Sequence, residues 1–254
     1  MKEIRGDITF RTYTGRYGVS EDYIKVHDFL VESGNEAFPY ARFDWMITHR
    51  PYLQEEFLNR IGLWEQEDKI VAVALFDTTL DDIFIITLKG YEFLYEQMID
   101  YACTHMVNEK EPQLRLFIDD ANKELQQAAS VKGFHVIDEQ DKVAQFDLTQ
   151  EILEEHLSQG YTLVDLETER DYDNYLHCLF RGFDHDNGEE TYVFEEADMR
   201  EAQSAYERDC VDLKLKISVK APGGKYVAHC GMWYDPLSKF AVVEPVCTDP
   251  NYRK

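Results

Sequence analysis

Asp68-Lys69-Ile70-Val71-Ala72 and Gly224-Lys225-Tyr226-Val227-Ala228 match at Lys, Val and Ala, 156 residues apart. Each opens with turn residues and runs into apolar, β-branched chain, the pattern of a hairpin's second strand. Arg60 to Glu65 supplies the first strand of the earlier hairpin, and Leu213 to Ala221 that of the later one, over Pro222-Gly223-Gly224. The strand after each hairpin is read near Ile83 and near Phe240, an offset of 157. An offset kept across two elements points to duplication.

The surroundings repeat as well. Ile8 to Tyr13 alternates as a strand. Ser20-Glu21-Asp22 opens a helix with a capping side chain and acids in its first turn. Tyr23, Val26, His27 and Leu30 form its apolar stripe. A second helix falls within 40–60, punctuated by Pro51. Ile83 to Thr87 lacks alternation, as a strand buried on both faces would. Helix Tyr91 to Met106, strand Gln113 to Ile118, helix Asn122 to Val131 and a closing strand pair, Phe134 to Val136 and Val143 to Leu148, complete the first copy. Helix Glu151 to Leu157 reads as a connector. The order then restarts with strand Tyr161 to Leu166, helix Glu169 to Phe183, helix Phe194 to Cys210, the hairpin, and strand Phe240 to Val246. The expected domains are 1–149 and 161–254, joined by 150–160.

The chain has 254 residues, enough for one large or two small domains at roughly 150 residues each. Hydrophobic content of 44% excludes a disordered chain. The net charge of −24 repels phosphate backbones and anionic lipid, so neither nucleic acid nor membrane is an expected partner. Ile70 to Phe76 is the longest uninterrupted apolar run, far short of the ~18 residues a membrane helix needs. The N-terminus carries no apolar signal region. Five widely spaced cysteines, without a C-x-x-C pair, suit reduced thiols in a cytoplasm better than disulfides or zinc. No metal site is expected. G-x-S-x-G, Walker and H-E-x-x-H patterns are absent.

The order strand, two helices, three antiparallel strands, helix, strand, helix, strand resembles the GCN5-related N-acetyltransferase family. The strongest local match is Val243-Glu244-Pro245-Val246-Cys247-Thr248-Asp249-Pro250-Asn251-Tyr252-Arg253-Lys254. It is similar to that family's central strand and the entry to its coenzyme A loop. The resemblance implies an α/β (α+β) tandem acyl-CoA N-acyltransferase fold, a mixed, mostly antiparallel sheet flanked by helices, with the second copy incomplete. It implies acetyl-coenzyme A as cosubstrate and a small-molecule amine or peptide as acceptor. A homodimer is possible. Arg253 and Lys254 stand at the first two positions of the family's Arg/Gln-x-x-Gly-x-Gly/Ala loop, so the chain as given is expected to be an inactive fragment. The first copy has Thr87 to Glu96 at the matching place, with one glycine and two acids. Carboxylates repel phosphate, so this copy is expected to be degenerate for coenzyme A binding and to serve a structural or substrate-shaping role.

By the same resemblance, the backbone of Val246, Cys247 and Thr248 pairs with the pantetheine arm, and one N–H polarises the acetyl carbonyl. With Arg253 and Lys254 these form the expected cofactor site. Glu244 is the expected general base, directly or through water; a structural hydrogen-bonder is the alternative. Pro245 beside it suggests a bulge or ladder break. Asp184 and His185, in the acidic loop Phe183 to Glu190, are expected to border the acceptor; a solvated, helix-capping loop is the alternative. That loop fails the EF-hand spacing. His229 either faces the acceptor cleft or is a satisfied core histidine. Phe38 to Met46 is aromatic-dense, as packing or as a substrate wall. Cys247 has no evident basic partner to make it a nucleophile. The rival to an enzyme is a non-catalytic binding or scaffold module that pairs its exposed strand with a partner.

Overall fold

The structure is a computed structural model that describes residues 7–49, 53–108, 113–151, 156–185, 193–208 and 211–253. The chain divides into two compact units, Met1–Ala144 and Gln145–Lys254. Among the described residues, no helix is long and apolar enough to cross a membrane.

In the first unit, β1 (Thr9–Thr12), β2 (Gly62–Gln66), β3 (Lys69–Asp77), β4 (Thr79–Thr87) and β5 (Arg115–Phe117) stand side by side in chain order. The first three pairings are antiparallel and β4–β5 is parallel. β3 is buried from Ile70 to Phe76 and β4 from Ile83 to Ile86, as central strands with both faces covered must be. Between β1 and β2 lie α1 (Glu21–Ser33) and α2 (Tyr40–Thr48), then a 3₁₀ turn, Glu55–Arg60. The Ser20 side chain accepts the Tyr23 N–H at the start of α1. Gly34 ends it at φ 58°, a left-handed conformation in which glycine avoids the Cβ penalty. Tyr23, Val26, Phe29 and Leu30 pack inward. The aromatic run at 38–46 is core: Phe38, Tyr40, Phe43 and Met46 are all buried. α3 (Tyr95–His105) and α4 (Lys123–Val131) flank β5 in sequence.

The expected closing strands do not form. Residues 134–148 have no strand structure. Past the half-buried Phe134 their apolar side chains stay in solvent, with Val136 94% and Leu148 77% exposed. The alternation there is too brief, and Asp138 to Lys142 splits it. Two short runs without a buried face specify no register. Most of the expected connector helix, residues 152–155, lies outside the described residues.

The second unit has four strands in the order β6 (Thr162–Asp165), β7 (Lys216–Lys220), β8 (Tyr226–Trp233) and β9 (Val242–Thr248), all antiparallel. α5 (Tyr172–Gly182) and α6 (Glu196–Tyr206) lie between β6 and β7 in sequence. The Asp171 carboxylate accepts the Asn174 N–H at 3.0 Å and caps α5. Leu166, Tyr172, Tyr175, Cys178, Ala205, Tyr206 and Cys247 make a small core rich in tyrosine.

The two hairpins share a feature of the backbone. Each hairpin carries one bulge, at Val71 in β3 and at Val227 in β8, the 156-residue offset of the sequence match. Each bulged carbonyl accepts an N–H at 2.9 Å, Val71 from Leu88 and Val227 from Asp249. In the following strand Ala72 faces Thr87 and Ala228 faces Thr248. Thr248 is thus the counterpart of Thr87, an offset of 161 and not the 157 read from sequence. One residue joins β3 to β4, whereas residues 234–241 join β8 to β9.

Candidate functional site

β9 is the last strand of its sheet. The Asp249 N–H to Val227 O bond fixes the phase of its ladder. Backbone groups alternate sides along an antiparallel strand. Cys247 therefore turns its N–H and C=O toward β8, and Val246 and Thr248 turn theirs outward. Among the described residues no strand pairs with that outer edge. The side chains alternate too: Cys247 is buried and Val246 is 57% exposed.

Opposite Glu244 and Pro245 the ladder slips between Cys230 and Met232, the break that Pro245 suggested. Gly231 makes room for it. A Cβ there would lie 2.7 Å from the Glu244 carbonyl oxygen and 2.9 Å from Pro245 Cδ. That carbonyl accepts the Trp233 indole N–H at 3.0 Å. The Glu244 side chain is half-buried.

The end of α5 grips the start of the turn after β9. Gly182 permits the approach, since a Cβ there would meet Cys247 Sγ at 2.6 Å and Cys247 Cβ at 2.7 Å. Arg181 Nε donates to Asp249 Oδ2 at 2.6 Å. Burial opposes the Asp249 charge, but the Arg181 and Asn251 donors win and hold its pKa below the usual carboxylate range. Arg253 folds back over the same place. It donates to Gly182 O at 2.7 Å, to Thr248 O at 2.8 Å and to Asp184 Oδ2 at 3.2 Å.

The expected site residues thus fall into three groups. Val246, Cys247 and Thr248 share the strand with the open edge. Asp184 and Arg253 are brought together with each other. His185 is exposed; its backbone N–H goes to Phe180 O, and its ring lies 6.0 Å from the Phe180 ring. His229 is a core residue, 2% exposed. Its Nδ1 pairs with Ser218 Oγ at 2.9 Å and its ring meets Tyr175 edge-on at 4.9 Å. Burial, then the Lys216 charge, pushes its pKa down to about 3, so it is neutral. It does not face a cleft, because β8 aims it at α5. Lys254 and residues 186–190 lie outside the described residues. Gly182 and Arg181 were not singled out by sequence reading. Nothing in a helical Arg-Gly announces a strand packed against it.

The matching place in the first unit is closed. The Gly90 N–H donates to its own chain's Glu92 Oε2 at 2.8 Å. Beyond Phe84, where the β4–β5 pairing stops, Tyr95 Oη accepts from Thr87 Oγ1 at 3.3 Å and from Asn122 Nδ2 at 3.1 Å. A phosphate here would meet a carboxylate instead of donors.

No protein-family model matches this chain, and no curated protein matches it. Among solved structures it is similar to a GCN5-related N-acetyltransferase from Sphaerobacter thermophilus. That match has 10% identity and a TM-score of 0.46, over 97% of this chain and 77% of the other. It is also similar to a tandem GNAT protein from the clavulanic acid biosynthesis pathway. That match has 11% identity and a TM-score of 0.45, over 97% of this chain and 81% of the other.

Proposed function

We propose that this chain belongs to an N-acetyltransferase that moves acetyl from acetyl-coenzyme A to an amine, with the second unit holding the acyl donor and the first serving structure. The observation that carries the reading is the outer edge of β9 at Val246 and at the Thr248 N–H, beside a bulge at Glu244 and Pro245; the Thr248 carbonyl is held by Arg253. An extended amide-bearing arm fits such an edge as an added strand would. The first unit does not fit: its loop donor is taken by Glu92, and Tyr95 bridges β4 to the start of α4.

Acetyl-coenzyme A, when bound, supplies the acyl group as an activated thioester. The outward N–H of Val246 is the donor for the acyl oxygen, where negative charge develops. The Arg181–Asp249 pair and Gly182 fix the strand that carries it. Glu244 takes the proton of the incoming amine, directly or through water. Holding both reactants on one rigid strand supplies much of the rate. A small amine or a peptide is the acceptor class.

The test is release of free coenzyme A from acetyl-coenzyme A with a panel of primary amines, run on the enzyme to which this chain belongs and not on the chain alone. The reading expects amine-dependent release, lost by about 10²-fold or more in Glu244→Gln with KM for acetyl-coenzyme A unchanged. Amine-independent release, or a Glu244→Gln variant as fast as its parent, overturns the assignment.

A further inference from the structure

Cys178 on α5 and Cys247 on β9 face each other in the core of the second unit. Cys178 is 1% and Cys247 6% exposed. Cys247 Sγ lies 3.7 Å from the Cys178 carbonyl oxygen, to which its S–H donates. They are 69 residues apart in sequence. Gly182, one helical turn along α5, brings the helix backbone onto Cys247 and keeps the pair in register. No other described cysteine has such a partner: Cys103 and Cys230 are exposed and lie on α3 and β8.

We propose that Cys178 and Cys247 are a dithiol that a small peroxide converts to a disulfide, fastening α5 to β9, and that a dithiol reductant reopens. This inference stands apart from the acyl-transfer reading and needs no activity for its test. The Cys247 sulfur attacks the peroxide O–O bond. An S–O bond forms, the O–O bond breaks, and the departing oxygen leaves as water, giving a sulfenic acid. The Cys178 sulfur then attacks that sulfur. The S–S bond forms, the S–O bond breaks, and a second water leaves. Two thiols lose two electrons and hydrogen peroxide takes them up as two waters.

The chemistry favours Cys247 as the first to react. The Cys178 side chain lowers the Cys247 pKa against the burial that raises it, with help from the backbone N–H of His229, while the same side-chain contact and then burial push Cys178 upward. The exposed thiols are instead held protonated, Cys230 by partial burial and Cys103 by that and by Asp100. A thiolate, not a thiol, is the nucleophile. The neighbouring thiol also diverts the sulfenic acid from further oxidation.

The experiment treats the folded chain with hydrogen peroxide, blocks remaining thiols with N-ethylmaleimide in denaturant, and maps peptides by mass. The expected result is a Cys178–Cys247 linked peptide, about 2 Da lighter than the two reduced peptides together. It should form in native buffer and vanish with dithiothreitol. In Cys178→Ser the link is absent, and Cys247 is trapped by dimedone as the sulfenic acid. Both thiols alkylated after exposure that oxidises Cys103 or Cys230 would overturn the proposal. So would a link that forms only in denaturant, or one joining other cysteines.

Discussion

Arg181 and Asp249 are joined across the second unit, guanidinium Nε to Oδ2 at 2.6 Å, with the carboxylate only 9% exposed. This contact ties the last turn of a helix to the residue that ends the strand bearing the candidate site. The same carboxylate accepts the Asn251 N–H at 2.9 Å, so one side chain shapes both ends of the contact. Asp249→Ala leaves Arg181 and that N–H without their acceptor. The expected cost is about 2–3 kcal/mol, read from the urea midpoint of Trp233 fluorescence. Trp45 and Trp64 belong to the first unit and Trp233 to this one, so the transition that Asp249→Ala shifts is the one Trp233 reports. Asp249→Asn keeps an acceptor for Asn251 and should cost less.

The acid limb of stability should begin early in this unit. His229 is neutral when folded, its pKa pushed down to about 3 by burial and Lys216. The unfolded chain binds the extra proton below about pH 6.5. The contribution of a neutral His229 is therefore complete above that pH and is lost as pH falls toward 3. The slope approaches roughly 1.4 kcal/mol per pH unit for one proton. His229→Leu removes it, whatever it does to the absolute midpoint. The Asp249 contribution has a lower window: it is present above the usual carboxylate range and lost as pH drops below about 4. Urea midpoints of both proteins between pH 4 and 7, above the Asp249 window, isolate the histidine contribution. Parallel curves would contradict the buried, neutral histidine.

Gly182→Ala sets two effects against each other. Alanine in a helix gains about 1 kcal/mol over glycine. Its Cβ would press on Cys247 Cβ at 2.7 Å and come within 3.3 Å of the Thr248 nitrogen, and overpacking costs about 1–3 kcal/mol. The clash involves atoms that cannot swing aside, so net destabilisation is expected in the same urea assay.

Val246→Pro probes the open edge. The Val246 N–H points away from β8, so its loss spares the ladder, and an edge strand tolerates proline. Acetyl-coenzyme A binding, followed by titration calorimetry, should weaken at least 10-fold while circular dichroism and the urea midpoint stay near those of the parent. Equal loss of fold and binding would mean that the N–H serves the sheet instead.

Much of this architecture is legible because it is local. The turn residues and β-branched runs mark both hairpins, Ser20 sits where a cap belongs, and Pro245 announces the slip in β8–β9. The Val71 and Val227 bulges sit at the repeat the sequence displays. What escapes the sequence is contact between distant elements. The long β8–β9 connection shifts the repeat from 157 to 161. The Phe134 to Leu148 alternation has the composition of strands but no surface to pair with. His229 alternates like any strand residue, and only the placement of α5 makes it core. The approach of Gly182 to Cys247 depends on the packing of a helix on a strand 65 residues further along the chain, which no local pattern encodes.

The central claim is that β9, not the matching loop of the first unit, holds the acyl donor. Backbone hydrogen exchange of the full chain with and without acetyl-coenzyme A tests it most directly. The account predicts slowed exchange in peptides covering 242–253 and none in those covering 87–96. Protection confined to 87–96, or unchanged exchange at 242–253 with millimolar acetyl-coenzyme A, would contradict it.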